Sequence, residues 1–413
     1  VMALLLSLSL IPLSPTAAAA AYSQPYLEKL VDWGVMQGDA NGNLNGDKSI
    51  TRAEFVAMIN RAFGFTKTGT TPFRDVPASA WYAEDVGISY NVAYINGPSA
   101  NTFSPNNSVT REQAAVILAR IMMMQEEVGE NIDFTDSRDM ANWSRGLIGA
   151  AASYNLLTGY PDGSFRPGNA ITRGDAAVLL VKAIGNPIQE AGDYSLGNTW
   201  GNVTITTSGV TLRDTVIGGN LYISEGVDLG HVTLENVTVL GEIVVSGGGV
   251  SEGGDDSIVL RNVDASKMVV DNLNGQQVSL RVEGAGKIAE TDVRTNAYLA
   301  DNTSDGYGLA KIVLEGDADE ELKLTLAGNI KEVVNTARDS TLNLARGTAQ
   351  TITVDEKATD STLNIASGAM VGTVNLDAGT SVTGTGDIGK LNVNAPGSKV
   401  EMLPDEITIR PGI

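Results

Sequence analysis

The sequence contains no cysteine and a single histidine, His231, in 413 residues. Disulfides, thiol catalysis and Cys-based zinc sites are thereby excluded, and so are His-based metal clusters. Histidine catalysis would have to rest on His231 alone. Positive charge is scarce: 28 Lys and Arg against 49 Asp and Glu leave a net charge of −21. A sequence-independent nucleic-acid binder needs a basic face, so that class is set aside. Aromatic residues make up 5% of the chain, against 46 glycines, a balance suited to turns and thin β layers. Long apolar runs are missing too. Residues 2–13, MALLLSLSLIPL, are too short to span a bilayer comfortably, and no later segment approaches 18 consecutive apolar residues. The run is followed by Pro15 and Ala17 to Ala21, as in a secretory signal cleaved near Ala21, with its basic n-region missing ahead of Val1. Near the other end, Leu403-Pro404-Asp405-Glu406 lacks the Thr-Gly of a sortase signal. The expectation is an exported protein with no membrane span in the mature chain, held at the cell surface without a covalent bond.

What the sequence does have is repetition, of two kinds. Thr51-Arg52-Ala53-Glu54, Thr110-Arg111-Glu112-Gln113 and Thr172-Arg173-Gly174-Asp175 each precede an apolar helical pattern. Arg52, Arg111 and Arg173 each lie 14 residues after a glycine: Gly38, Gly97 and Gly159. Each glycine lies 16 residues after an aromatic residue: Tyr22, Trp81 and Trp143. An apolar residue follows each glycine by six: Leu44, Phe103 and Phe165. Each unit reads as helix, loop, helix. In the second unit Trp81, Val86, Ile88 and Tyr90 supply the first helix's apolar surface, and the glycine is expected to end that helix as a C-cap. The motif Thr and the Glu, Gln or Asp three residues on form a capping box for the second helix.

The capping box does not account for the arginine. At the first helical position a cation faces the positive end of the macrodipole, at a cost of about 0.5 kcal/mol. The same choice made three times asks for a reason. One reading is structural: each Arg pairs with a nearby carboxylate. The other is functional: a guanidinium beside free helix N–H groups binds a carboxylate or phosphate, with an aromatic ring near to stack on a sugar.

These units resemble S-layer homology (SLH) domains. The resemblance rests on the T-R-A-E motif, on Phe73-Arg74-Asp75-Val76 followed by Trp81, and on the Gly159 to Pro167 loop, GYPDGSFRP, and it covers about residues 22–187. It implies an all-α bundle of pseudo-threefold symmetry. It also implies binding of secondary cell-wall polymers, often bearing pyruvate ketals, in grooves between units. The implied site residues are Arg52, Arg111 and Arg173 on the ketal carboxylate, with Trp81 and Trp143 as groove aromatics. Tyr22 stands where the other units have Trp, the first unit lacks the F-x-D-V lead, and the third has Gly174 and Asp175 in place of Ala and Glu. Those departures put one or more grooves in doubt. Asp39-Ala40-Asn41-Gly42-Asn43 begins like an EF-hand loop, but Leu44 and Ile50 hold the places of its glycine and bidentate glutamate.

After Pro187 the pattern changes to short alternating runs separated by Gly, Asn and Asp. Val210-Thr211-Leu212 recurs as Val232-Thr233-Leu234, and Leu221-Tyr222-Ile223 as Ile243-Val244-Val245, each 22 residues later. Thr341-Leu342-Asn343-Leu344 recurs as Thr362-Leu363-Asn364-Ile365 after 21, and Ile352-Thr353-Val354 as Val374-Asn375-Leu376 after 22. Such a period fits one coil of a parallel β-helix, with a β-sandwich as the rival. Lys287 to Glu320 is less regular and is expected to interrupt the stack. Asn236 and Asn262 fall at matching places, which predicts an inward or turn-capping ladder. The charge splits: residues 22–190 carry 13 basic and 18 acidic groups, residues 191–413 carry 15 and 31.

The expected organisation is a signal segment at 1–21, helical repeats at 22–68, 69–128 and 129–187, and an acidic β-helix-like domain at 188–413. The expected function is anchoring to cell-wall polysaccharide, with self-association in a surface layer as a further partner, through Arg52, Arg111, Arg173, Trp81, Trp143, Tyr22, Gly38, Gly97 and Gly159. No catalytic residue, metal or cofactor is assigned. The alternative is a wall-anchored polysaccharide lyase or hydrolase acting through the β-helix, for which Asp255-Asp256, Arg261 and Asp264 are the candidates.

Overall fold

The computed structural model describes residues 15–125, 134–249, 257–304, 306–316 and 321–412. The apolar run at 2–13 and Asp255-Asp256 lie outside the described residues. The N-terminal part is helical: α1 (Pro15–Asp32), α2 (Arg52–Phe63), α3 (Ala83–Asn91), α4 (Arg111–Ile121), α5 (Arg145–Ser153) and α6 (Arg173–Ile184). The three capping boxes form as the spacing predicts. Thr51, Thr110 and Thr172 each accept the backbone N–H three residues on, and Glu54, Gln113 and Asp175 return the bond to the cap backbone.

Two local expectations are corrected. The motif glycines do not end the first helices: α3 ends at Asn91, ahead of Gly97, and α5 at Ser153, ahead of Gly159. The left-handed residue that closes each helix lies four positions earlier, at Gly34, Ala93 and Asn155 (φ 70°, 65° and 56°). Gly97 is needed for close approach instead, because a Cβ there would sit 1.9 Å from the Thr102 carbonyl oxygen. Trp81 is not inside a helix but in the turn before α3, edge-on to Tyr82.

The three units close a ring about their pseudo-threefold axis. Ile50 N–H donates to the Ile171 carbonyl, Ile171 N–H to Val109, and Val109 N–H to Ile50, at 2.9–3.1 Å. The first two amides of α2, α4 and α6 donate to loop carbonyls of the following unit: Arg52 and Ala53 to Asn107 and Pro105, Arg111 and Glu112 to Asn169 and Pro167, Arg173 and Gly174 to Lys48 and Gly46. Gly174, which looked like a weak helix start, lets α1 come close, since a Cβ there would meet the Ser23 side chain at 2.5 Å.

The second part is a parallel β-solenoid of about 10 coils between residues 186 and 400. Every strand pair is parallel, which excludes the antiparallel sandwich. The repeats seen in the sequence are the ladder partners themselves: Val210 pairs with Val232, Leu221 with Ile243, Thr341 with Thr362 and Ile352 with Val374. Inward side chains stack in columns, such as Leu212, Leu234 and Leu260, all 0% exposed. The bore takes Val, Ile and Leu but has no room for large rings, hence the few aromatics. Coils run from 17 residues (Asn186 to Val203) to 27 (Ala297 to Leu324). The stack is not interrupted at 287–320: Thr291 pairs with Ile312 and Ile312 with Val333, and the extra residues loop outward.

The predicted ladder forms at an exposed corner, not inward. Asn262 Nδ2 donates to Asn236 Oδ1 (2.9 Å), and Asn236 Nδ2 to Asp214 Oδ1 (3.0 Å). All three residues have positive φ, between 48° and 55°. Asn and Asp tolerate that conformation better than other side chains, which accounts for the residue choice.

The bundle lies against the side of the solenoid, not on its end. Tyr222, Val244 and Val269 are stacked register partners on the outer face of one sheet, and they are buried in the helical core. Ser224 Oγ donates to the Phe63 carbonyl (2.7 Å), and Thr204 Oγ1 to that of Ile184 (2.8 Å). Only Gly185 separates α6 from the first strand, Asn186–Ile188.

Candidate functional site: the groove between helical units

Each motif arginine reaches into the next unit's loop and ends on the same two carbonyls. Arg52 Nε donates to Phe103 O (2.8 Å) and Nη2 to Asn96 O (2.9 Å). Arg111 does the same with Phe165 and Thr158, at 2.8 and 3.2 Å. Arg173 does so with Leu44 and Gln37, at 2.9 and 3.1 Å, which closes the ring from third unit to first. The guanidinium of Arg52 lies 4.8 Å from the Phe103 ring centre, and that of Arg111 4.9 Å from Phe165. These interactions are structural, and the helix N–H groups beside the arginines are already bonded.

The loops are held by carboxylates. Asp75 accepts the amides of Phe103 (2.8 Å) and Ser104 (2.7 Å), and Asp136 accepts those of Phe165 and Arg166, both at 2.7 Å. Burial alone would raise the Asp75 carboxyl, but the two amides and the Arg52 charge outweigh it and hold it below the usual range. Burial in turn lowers the Arg52 guanidinium, against the pull of Asp75.

A groove of about 430 Å³ opens where the three units meet. Its lining includes Arg52, Gly97, Gln113, Arg120 and Trp143. Arg52 comes from the first unit, Gly97 from the second and Trp143 from the third, so the fold brings together three of the predicted site residues. Trp143 is 52% exposed, enough to present a ring face. Tyr22 and Trp81 are also exposed but do not line this groove. By the pseudo-threefold relation they belong with Arg111 and Gly159, and with Arg173 and Gly38, respectively.

The three interfaces differ in charge. Arg173 Nη1 lies 3.5 Å from Glu54 Oε1, so at that interface a carboxylate answers the arginine. Asp175 occupies the equivalent place beside Arg111. Beside Arg52 the place is held by Gln113, and no carboxylate lines the groove. The neutral Gln leaves the charges of Arg52 and Arg120 unbalanced there.

Arg120 was not singled out from the sequence, yet a signal was present: Arg61, Arg120 and Lys182 each stand nine residues after the motif arginine. On the solenoid, Arg261 Nη2 is engaged by Glu283 (3.1 Å), and Asp264 accepts the Lys287 amide (3.0 Å). Both serve the ladder. Among the described residues no group of three or more His, Asp or Glu is arranged to hold a metal ion, and no helix is long and apolar enough to cross a membrane.

Residues 16–56, 72–115 and 133–177 each match the S-layer homology domain. The chain is similar to the surface-layer 125 kDa protein of Lysinibacillus sphaericus, 33% identical over 170 residues, which are 40% of this chain and 14% of that protein. It is similar to an amylopullulanase of Thermoanaerobacterium thermosulfurigenes, 30% identical over 164 residues (38% of this chain, 9% of that one). It is also similar to the cellulosome-anchoring protein of Acetivibrio thermocellus, 34% identical over 119 residues (28% and 25%). The chain therefore spans a quarter or less of the length of these relatives. The match, the capping boxes and the closed ring of loops agree: residues 16–177 are three S-layer homology domains, and a parallel β-solenoid is joined to them.

Proposed function

We propose that the chain is an exported, non-catalytic cell-surface protein. Its helical domains hold it to the cell wall by binding an acidic sugar of a wall-linked polysaccharide, and its solenoid is the displayed part. The observation that carries this reading is the groove at Arg52, Arg120 and Trp143, which has an aromatic ring, two guanidinium groups and no lining carboxylate. A sugar ring stacks on Trp143 while its anionic group meets the guanidinium edge. The relatives named for surface layers and cellulosome anchoring support attachment at the cell surface. Similarity to an amylopullulanase is confined to the anchor region, and it does not move the solenoid toward catalysis.

Of the three interfaces, the one containing Gln113 is the working one, because Glu54 and Asp175 neutralise their arginines. The test is co-sedimentation of the full chain with purified cell-wall sacculi, before and after the polymer is stripped with mild acid. Trp143→Ala and Arg120→Gln are compared with the parent chain. Binding that disappears on stripping and weakens about tenfold in each variant supports the reading. Binding that survives both would make peptidoglycan itself the target and the groove irrelevant.

A further inference from the structure

The solenoid's longest coil builds a second concave site, far in sequence from the bundle groove. The chain leaves the stack after Thr303 and rejoins it at Lys311. The excursion is shaped from beneath by Asp301, which is 3% exposed. Its Oδ1 accepts from Thr303 N–H (3.0 Å) and Thr303 Oγ1 (2.6 Å), and its Oδ2 from Leu309 N–H (2.8 Å). Both legs are thus tied to one buried carboxylate. Gly308 fits between them because a Cβ there would stand 2.4 Å from Thr303 Cγ2. The excursion encloses a cavity of about 380 Å³, whose lining includes Gly284, Lys287, Tyr307, Lys331 and Gln350. The Tyr307 hydroxyl accepts from Gln350 Nε2, a residue 43 positions later, so the ring is held in place.

The charge is out of character for this half of the molecule, which carries 31 acidic and 15 basic groups. Among the described residues the cavity lining has two ammonium groups and no carboxylate. Nearby cations are matched: Lys267 with Asp292, Lys311 with Glu290 and Arg294 with Glu315. Lys287 and Lys331 have no ion pair among the described residues. A pre-shaped cavity with a fixed aromatic ring, an amide and two unanswered cations has the chemistry for an anionic sugar.

We propose that this cavity binds a carboxylate-bearing saccharide, with Tyr307 as the ring platform and Lys287 and Lys331 on the carboxylate. The proposal does not depend on the anchoring reading. It is tested by calorimetric titration of the full chain carrying Trp143→Ala, which removes the bundle groove's aromatic ring. The probes are trigalacturonate, a glucuronate-containing hyaluronan tetrasaccharide, neutral galactotriose and inorganic phosphate. The expected result is saturable binding of at least one acidic oligosaccharide, about tenfold tighter than galactotriose. Lys287→Gln with Lys331→Gln should lose about tenfold, and Tyr307→Leu several-fold. The proposal is overturned if neither acidic probe saturates by about 10 mM, or if the lysine variant binds as the parent does. It is equally overturned if galactotriose matches the acidic sugars, or if phosphate binds as tightly as they do, which would mean an anion site with no sugar recognition.

Discussion

The two halves solve the same problem, the repetition of a unit too small to fold alone, by opposite symmetries. The helical units repeat by rotation and close on themselves, each lending loop carbonyls to its neighbour's helix start and arginine. The coils repeat by translation, and each touches only the coil before and the coil after. A closed ring shares out any loss among all its members, whereas a stack confines loss to the place where it occurs. The contrast also bears on where binding chemistry sits. Rotation makes three near-identical interfaces, so one residue, Gln113 in place of Glu or Asp, is enough to set one apart. Translation makes a smooth surface, so a cavity appears only where a coil gains extra residues.

The largest effect should come from breaking the ring. Arg52→Ala removes a buried guanidinium and strands the carbonyls of Phe103 and Asn96. A loss of about 4 kcal/mol in bundle stability is expected. Hydrogen exchange should speed up at all three ring amides, Ile50, Val109 and Ile171, and not only in the unit that carries the change. Faster exchange confined to one unit would refute the shared-ring account. Breaking the stack gives the counterpart. Leu234→Ala opens a cavity in the bore at a cost of about 3 kcal/mol, with exchange rising only in adjoining coils.

The next effect is smaller and tests the joint between the halves. Glu225 sits under Phe65 and Lys67, where burial pushes its carboxyl from 4.5 up to about 7. Asp271 adds to the rise, and the Leu273 amide and Lys67 oppose it. The folded state therefore holds this proton more tightly than the unfolded chain does. The resulting stability is fully present below about pH 4.5 and is lost as pH rises through about 7. Glu225→Gln should be more stable than the parent by on the order of 2 kcal/mol at pH 8 and about equal to it at pH 4. Equal stability at both pH values would show that the joint does not feel this group. The smallest effect is expected at the corner ladder. Asn236→Ala, at φ 55°, should cost about 1 kcal/mol and Asn236→Gly less, each read from solenoid unfolding in denaturant.

The sequence showed whatever is periodic or local. Its 21- and 22-residue repeats are the actual ladder partners, the capping boxes form as spaced, and the Asn236–Asn262 ladder exists. It did not show what depends on closure in space. Arg173 meets Leu44, 129 positions earlier, and no local rule points from one to the other. The motif glycines looked like helix caps because a glycine after a helix usually is one, but here the loop's close packing decides. The irregular stretch after Lys287 looked like a break because a longer coil disturbs the period without disturbing the strand pairing. Burial of Tyr222, Val244 and Val269 by the bundle was not legible either, because outward positions of a strand carry no mark of what will cover them.

The splice at Gly185 has a mechanical consequence. With about 10 coils at a strand spacing of ~4.8 Å, the solenoid is a strut roughly 50 Å long. It is welded along its flank to the bundle rather than tethered by a leash. A pull on the far end is therefore transmitted as leverage on the flank contact, where Tyr222, Val244 and Val269 would have to slide from the helical core together. Such a joint keeps its angle under load, so the wall sets the direction in which the strut points.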